Sequence, residues 1–177
     1  MTTRTLLKRL EWTEMRKDGA YLYGSKIDFY DDYVVFDNER LASGKPIVSF
    51  VSRTNYQGNR FSPQLPLLEP GKSYELVADL ETSPANRYYL ELDFFNRQNE
   101  GISSQVLRVG QHQFTCPDDT FTYQITVRSA GCHRLQFRNL ALYQEQEEVV
   151  EREQIASYQK EDLPEELDII RGLIGLE

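Results

Sequence analysis

Residues 65–81, LPLLEPGKSYELVADLE, constrain the fold more than any other stretch of the chain. The Pro70-Gly71 pair separates two apolar runs. Beyond it, Tyr74, Leu76, Ala78 and Leu80 alternate with Glu75, Val77, Asp79 and Glu81. Successive side chains on a strand point to opposite faces, so this period of two puts the first set on one face and most polar side chains on the other. A tight turn entering such a strand predicts an antiparallel sheet with one buried face.

Other segments repeat the logic. Residues 21–30 and 33–37 read as strands joined at Asp31-Asp32. Residues 46–56 read as a strand with Ile47, Ser49 and Val51 opposed to Val48 and Phe50; both faces are apolar enough to predict a central position. Residues 57–66, with Gly58, Pro63 and Pro66, form a loop. Pro84-Ala85-Asn86 turns the chain into 88–95, where Leu90, Leu92 and Phe94 oppose Glu91 and Asp93. Residues 96–101 turn, and 102–109 pair back. Gly110 and Pro117-Asp118 bracket a short strand at 111–115. Phe121, Tyr123, Ile125 and Val127 then alternate with Thr122, Gln124, Thr126 and Arg128. In the last strand Leu135 and Phe137 share one parity and Leu140 and Leu142 the other, which predicts a β-bulge near Asn139. Short strands with turn signals about every ten residues, and no long helix between them, predict an all-β sandwich.

The chain's formal charge of −8 is unevenly placed. Residues 1–143 carry 17 basic and 17 acidic side chains, whereas residues 144–177 carry 3 basic and 11 acidic ones. A neutral body with an acidic tail argues against nucleic acid and anionic membrane as partners. It also predicts two regions, a sandwich over 1–143 and a helical acidic tail over 144–177. Within the tail, Asp162 and Glu165 fit a helix start. Leu163, Leu167, Ile170 and Ile174 follow at helical spacing, while Gly172 and Gly175 weaken the helix. A short stripe of this kind either packs on its own sandwich or orders in a partner's groove. No apolar run approaches the ~20 residues of a membrane span, and the N-terminus lacks a secretory h-region. A cytoplasmic location is therefore expected, with Cys116 and Cys132 as buried thiols rather than a disulfide.

Catalytic and metal motifs are thin. The two histidines are His112 and His133, and neither a nucleophile elbow, a zincin motif nor a phosphate-binding loop is present. A thiol–imidazole pair between Cys116 and His133 or Cys132 and His112 is not fixed by anything in the sequence. Asp28, Glu91 and Asp93 alternate with apolar residues, as on the outer face of a sheet; a glycosidase would need two carboxylates facing one cleft. No calcium loop of the D-x-D-x-[DN]-G type occurs. No catalytic residue, metal site or cofactor is expected. Two strand ends stand out instead: Asn55, Tyr56 and Gln57 within SRTNYQ, and Asn96, Arg97 and Gln98 within FFNRQ. Each groups an amide, a guanidinium and an aromatic, the set that pairs with sugar hydroxyls and packs on the C–H side of a ring. Turn and edge chemistry is the simpler account of each, with Arg97 paired to Asp93 or Glu91. Trp12 is either a sugar platform or a core anchor, and core is the more ordinary role.

Two resemblances rest on these residues. LLEPGKSYELVADLE, with the closing HRLQFRNLALY, resembles jelly-roll carbohydrate-binding modules. More narrowly, YLYGS at 21–25, TNYQ at 54–57, LPLL at 65–68 with Gly71-Lys72, FFNRQ at 94–98 and SAGCH at 129–133 occur in the order seen in the third accessory Sec system protein family of Gram-positive bacteria. The resemblance covers roughly residues 10–143. It implies a jelly-roll β-sandwich and a non-catalytic subunit partnered by the first and second accessory Sec system proteins. It further implies a cytosolic complex, membrane-associated through those partners, that delivers a glycosylated serine-rich repeat adhesin to a dedicated motor ATPase. A pure protein scaffold that never touches sugar is the alternative, and a glycosidase or esterase the remote one.

Overall fold

The computed structural model describes residues 3–12, 20–53 and 63–146. These form ten strands and no α-helix: β1 (Thr3–Leu10), β2 (Lys26–Phe29), β3 (Val34–Asp37), β4 (Pro46–Val51), β5 (Ser73–Ser83), β6 (Tyr88–Phe95), β7 (Gly101–Arg108), β8 (Gln113–Thr115), β9 (Thr122–Ser129) and β10 (Arg134–Gln146). All pairing between them is antiparallel. The larger sheet runs β2-β3-β10-β5-β8, and β1 joins β10 as its sixth strand. The smaller runs β4-β9-β6-β7. β10 is the spine of the larger sheet. β5 pairs along most of one edge, while the other edge takes β3 over Arg134–Phe137 and β1 over Leu140–Gln146.

The alternation in the sequence becomes the core of a β-sandwich. Tyr74, Leu76 and Leu80 of β5 are buried while Glu75, Asp79 and Glu81 are not. Leu90, Leu92 and Phe94 of β6 and Tyr123, Ile125 and Val127 of β9 join them in one hydrophobic cluster. The predicted bulge is present. The β10–β5 register shifts between Phe137 and Asn139, so Leu135 and Phe137 before it, and Leu140 and Leu142 after it, are all fully buried. Trp12 is a core anchor, with its ring 5.6 Å from that of Phe137. Cys116 and Cys132 are buried free thiols, as expected.

The entry turn is pinned from three sides. The Tyr123 hydroxyl donates to the Pro66 carbonyl at 2.6 Å, and the Glu69 N–H donates to the Tyr74 hydroxyl oxygen at 2.8 Å. The Gly71 N–H donates to the Cys116 carbonyl at 2.8 Å. Gly71 has φ +79°, a left-handed conformation that glycine adopts without strain. Burial holds the Tyr123 hydroxyl's pKa far above its ordinary value, and that of Tyr74 is raised for the same reason. The unfolded chain therefore ionises first as pH climbs past about 10, while the fold keeps its protons. These two hydroxyls add no pH dependence below that pH and cost stability above it; the buried thiols of Cys116 and Cys132, also raised, make the fall begin from about pH 8.5. Tyr123→Phe should cost about 1–3 kcal/mol at neutral pH, by leaving the Pro66 carbonyl without its donor, and should blunt the alkaline loss. Urea melts at neutral and alkaline pH test both; a variant as stable and as alkali-sensitive as the parent would refute the assignment.

Several expectations need correction. The strand predicted over 21–30 is only Lys26–Phe29, because Gly24 (φ +70°) sits in a turn closed by the Ser25 N–H on the Leu22 carbonyl. β4 ends at Val51 and is an end strand, not a central one. It reads as central because a register shift between Pro46 and Val48 lets adjacent Ile47 and Val48 both be buried. Its free side is covered by an Ala20–Val48 bridge. Residues Gln144, Glu145 and Gln146, assigned above to the tail helix, extend β10. β1 is a strand that no alternation in the sequence predicts.

Candidate functional site

The FFNRQ segment forms the β6–β7 turn. The Asn96 N–H donates to the Glu100 carbonyl at 3.0 Å, and the Asn99 N–H to the Asn96 carbonyl at 3.0 Å. Asn99 takes φ +64°, which asparagine tolerates better than most residues. The Asn96 amide is used within the turn: Oδ1 accepts the Glu100 N–H at 2.9 Å, and Nδ2 donates to Glu100 Oε2 at 3.0 Å. Asn96 therefore holds the loop, while Arg97 and Gln98 stand exposed at its tip.

Arg97 does not pair with Asp93 or Glu91. Its guanidinium lies over the Phe121 ring, 5.6 Å from the centroid. Glu91 is engaged instead by Arg128, whose Nη1 also donates to the Gly44 carbonyl at 2.9 Å. Phe121 is the residue beside this turn that the sequence pattern does not single out. The period of two puts it inside the β9 alternation, but β9 begins at Thr122 and Phe121 is 56% exposed. Its N–H donates to the Phe95 carbonyl at 2.8 Å, which sets the ring beside the turn. The signal was available in the preceding Asp118-Asp119-Thr120 turn, which places Phe121 at the mouth of the strand. An exposed cation–ring pair of this kind contributes about 0.5–1 kcal/mol. It presents guanidinium donors beside an apolar ring, chemistry suited to holding a polyhydroxylated ligand.

The second predicted motif, Asn55, Tyr56 and Gln57, lies outside the described residues, as do Leu163, Leu167, Ile170 and Ile174. The other candidates for chemistry are separated. Burial raises the pKa of both Cys116 and Cys132, disfavouring a thiolate. The Cys132 thiol lies 3.6 Å from Ser129 Oγ and the Cys116 thiol 3.8 Å from the Pro117 carbonyl; neither meets an imidazole. His112 and His133 are exposed. Among the described residues, no three His, Cys, Asp or Glu side chains converge as metal ligands. Nor is any helix among them long and apolar enough to cross a membrane.

Residues 20–144 match the family described as Accessory Sec secretory system ASP3. The chain belongs to this family. A Streptococcus gordonii accessory Sec system protein of the same name is 39% identical over 153 residues, spanning 81% of this chain and 94% of that protein. A Staphylococcus aureus counterpart is 29% identical over 123 residues, which make up 39% of its length. Among solved structures, the chain is similar to one in the crystal structure of accessory secretory proteins 1, 2 and 3 in Streptococcus pneumoniae. The TM-score is 0.71 and the identity 32%, over 81% of this chain and 99% of that one. The Glycosylation Associate Protein (Gap123) complex from Streptococcus agalactiae matches with a TM-score of 0.68 and 30% identity, covering 80% of this chain and 44% of that one.

Proposed function

We propose that this chain is a non-catalytic subunit of an accessory secretion assembly, working beside the first and second accessory Sec proteins. The observation that carries the reading is the match to nearly the whole length of a chain in the Streptococcus pneumoniae structure of accessory secretory proteins 1, 2 and 3. In this reading the assembly is cytosolic, reaches the membrane through partners, and passes a glycosylated serine-rich repeat adhesin to a dedicated motor ATPase. The sandwich, residues 1–143, is a jelly roll of the carbohydrate-binding-module kind, and its glycan contact is the β6–β7 turn. Arg97 and Gln98 supply donors and Phe121 an aromatic face, with Asn96 holding the loop. Asn55, Tyr56 and Gln57 form the second arm. The acidic tail, residues 144–177, docks on a partner through Leu163, Leu167, Ile170 and Ile174.

One observation favours a second reading, a scaffold that binds protein alone. Tyr23, Phe29 and Tyr30 are exposed around β2, with Tyr30 stacked on Tyr33 at 4.7 Å, and exposed aromatics of this kind suit a protein interface. Co-purification with the first and second accessory proteins, followed by binding of N-acetylglucosamine-modified Ser/Thr-rich peptides, separates the two. Arg97→Ala and Phe121→Ala should leave the complex intact and weaken glycopeptide binding roughly ten-fold. Equal affinities would remove both residues from the site, and a wild-type complex blind to the sugar would leave the scaffold. Removing residues 162–177 should reduce recovery of the complex; undiminished recovery would sink the docking role of the tail.

A further inference from the structure

The neutral sum of charge over residues 1–143 hides a separation that the fold creates. The strand ends gather at two opposite ends of the sandwich. At one, Lys26 lies opposite Asp37, Tyr88 opposite Ser129, and Arg134 opposite both Ser83 and Asp37. The connecting segments 22–25, 38–45, 84–87 and 129–133 are bonded together there. The Asn38 N–H donates to the His133 carbonyl at 2.8 Å, the Gly44 N–H to the Ser129 carbonyl at 2.7 Å, and the Ala130 N–H to the Arg87 carbonyl at 2.9 Å. Asn38 Nδ2 ties in the remaining segment through the Tyr23 carbonyl at 3.0 Å.

This end is basic. It carries exposed Lys26, Arg40, Lys45, Arg87 and Arg134 against the carboxylates Asp37 and Glu39. Lys26 is paired with Asp28 at 3.2 Å, and Arg128, also at this end, is engaged by Glu91. Among the described residues no ion pair engages Arg40, Lys45, Arg87 or Arg134. The opposite end is the inverse. Its turns, β2–β3, β6–β7, β8–β9 and the entry to β5, carry Asp31, Asp32, Glu69, Glu100, Asp118 and Asp119 against Lys72 and Arg97. Charge summed along the sequence therefore does not exclude an anionic partner, because a surface field depends on where the charges sit.

Charge alone fits any polyanion; the apolar side chains at the same end narrow the choice. Leu22 is 62% exposed and Tyr23 85% exposed, at the tip of the turn that Asn38 holds. Beside the 84–87 and 129–133 segments lies a groove of about 510 Å³. Its walls are Tyr88 and Tyr89 of β6, Val106 and Arg108 of β7, and Asn86, Val109 and Ala130 from the adjoining turns. Arg108 is its one ionic group, and the two tyrosines and Asn86 add polar side chains next to exposed Val109. Cations ringed around protruding aromatic and aliphatic side chains suit a headgroup layer, where the charge meets phosphate and the apolar tips meet the acyl boundary. An acidic polypeptide makes no such use of Leu22 and Tyr23.

We propose that this end of the sandwich binds the anionic lipid headgroups of a bilayer surface. Arg40, Lys45, Arg87 and Arg134 supply the attraction, Leu22 and Tyr23 enter the interface, and the groove at Arg108 takes one headgroup phosphate. Each cation near such a surface strengthens binding roughly five-fold. The contact is the chain's own, added to the one made through partners, and it does not depend on the glycan turn at Arg97.

The test sediments the purified full chain, without partners, with vesicles of equal parts phosphatidylglycerol and phosphatidylcholine, and with phosphatidylcholine alone, across a series of salt concentrations. The whole chain carries a charge of −8, so diffuse attraction works against binding and a local cationic surface must supply it. Binding is expected to the anionic vesicles only, and to weaken as salt rises. Lys45→Ala with Arg87→Ala should weaken it roughly ten-fold or more and flatten the salt dependence. Lys72→Ala with Arg9→Ala removes the same charge elsewhere and should change it less than about two-fold. Tyr23→Ser should weaken binding at every salt concentration and leave the salt dependence in place. A full chain that stays in solution with the anionic vesicles at low salt would overturn the proposal. So would equal losses from the two double variants, which would make net charge the cause and not this end. Full binding by Tyr23→Ser, with polyglutamate displacing the chain from the vesicles, would assign the end to an acidic polypeptide instead.

Discussion

Phe137→Ala is expected to destabilise the sandwich by about 3–5 kcal/mol, read as a fall in the urea midpoint with the slope unchanged. Phe137 is fully buried on β10, the strand that every other part of the larger sheet except β2 and β8 pairs with directly. Its ring meets Trp12 edge-on at 5.6 Å and stacks on Phe50 of the opposite sheet at 6.2 Å. It therefore joins the N-terminal segment and both layers at one point. Two features keep the site from collapsing around the missing ring. Phe50 is held by pairing with Ile125, and Phe137 itself lies beside the bulge, paired on both sides with Leu80 and Val34. Ile102→Ala, at an exposed site, should change stability by less than about 0.5 kcal/mol. A Phe137 variant losing under ~1 kcal/mol would mean that the core repacks freely and that this junction is not what locks the layers together.

The second large effect is expected at Asn38, which sequence reasoning passed over. It is 3% exposed, just past the end of β3, and its side chain makes three bonds at 3.0 Å. Nδ2 donates to the Tyr23 carbonyl and to Ser25 Oγ, and Oδ1 accepts the Arg40 N–H. Asn38→Leu keeps the number and branching of the side-chain heavy atoms and removes all three bonds. Because a buried group left without a partner costs about 1–3 kcal/mol, the expected loss is about 2–4 kcal/mol. The damage should be local first: the turn holding Tyr23 and Ser25 loses its anchor, so faster amide exchange is expected at Ser25 before the global fold weakens. Unchanged exchange there, with stability within ~0.5 kcal/mol of the parent, would show that water replaces the amide without penalty.

Legibility followed from how far each element kept to one period. β5, β6 and β9 alternate apolar and polar side chains through most of their length, so their inner faces could be named residue by residue, although Thr126 of β9 is buried as well. The bulge in β10 was visible because two clean parities meet at it. β1 was invisible for the opposite reason: its register with β10 shifts between Leu6 and Lys8, so adjacent Leu6 and Leu7 do not alternate with polar residues, and TRTLLKRL shows no period of two. Tyrosines at 23 and 30 suggested a longer strand than β2 because β-propensity reflects a fit to a half-buried surface, which these exposed residues do not need. At the candidate site, the sequence pattern located Arg97 and Gln98 but not the bond network that commits Asn96 to the turn. Nor could it pair Arg97 with Phe121, 24 positions away, because that contact depends on β9 lying beside β6.

The pairing of Thr3 with Gln146 carries a consequence for how the chain comes off the ribosome. Among the described residues β1 precedes every other strand and pairs with β10, which follows them all, so the larger sheet has no spine until β10 emerges. Until then β1, β3 and β5 have synthesised their partnering edges with nothing to pair against, whereas β6 and β7 form a hairpin whose contacts are local. Nonlocal closure of this kind is slow to search, and it leaves apolar strand faces open during synthesis. The smaller sheet, whose last strand is β9, can assemble before the larger one, which makes it the natural template on which β10 and then β1 settle.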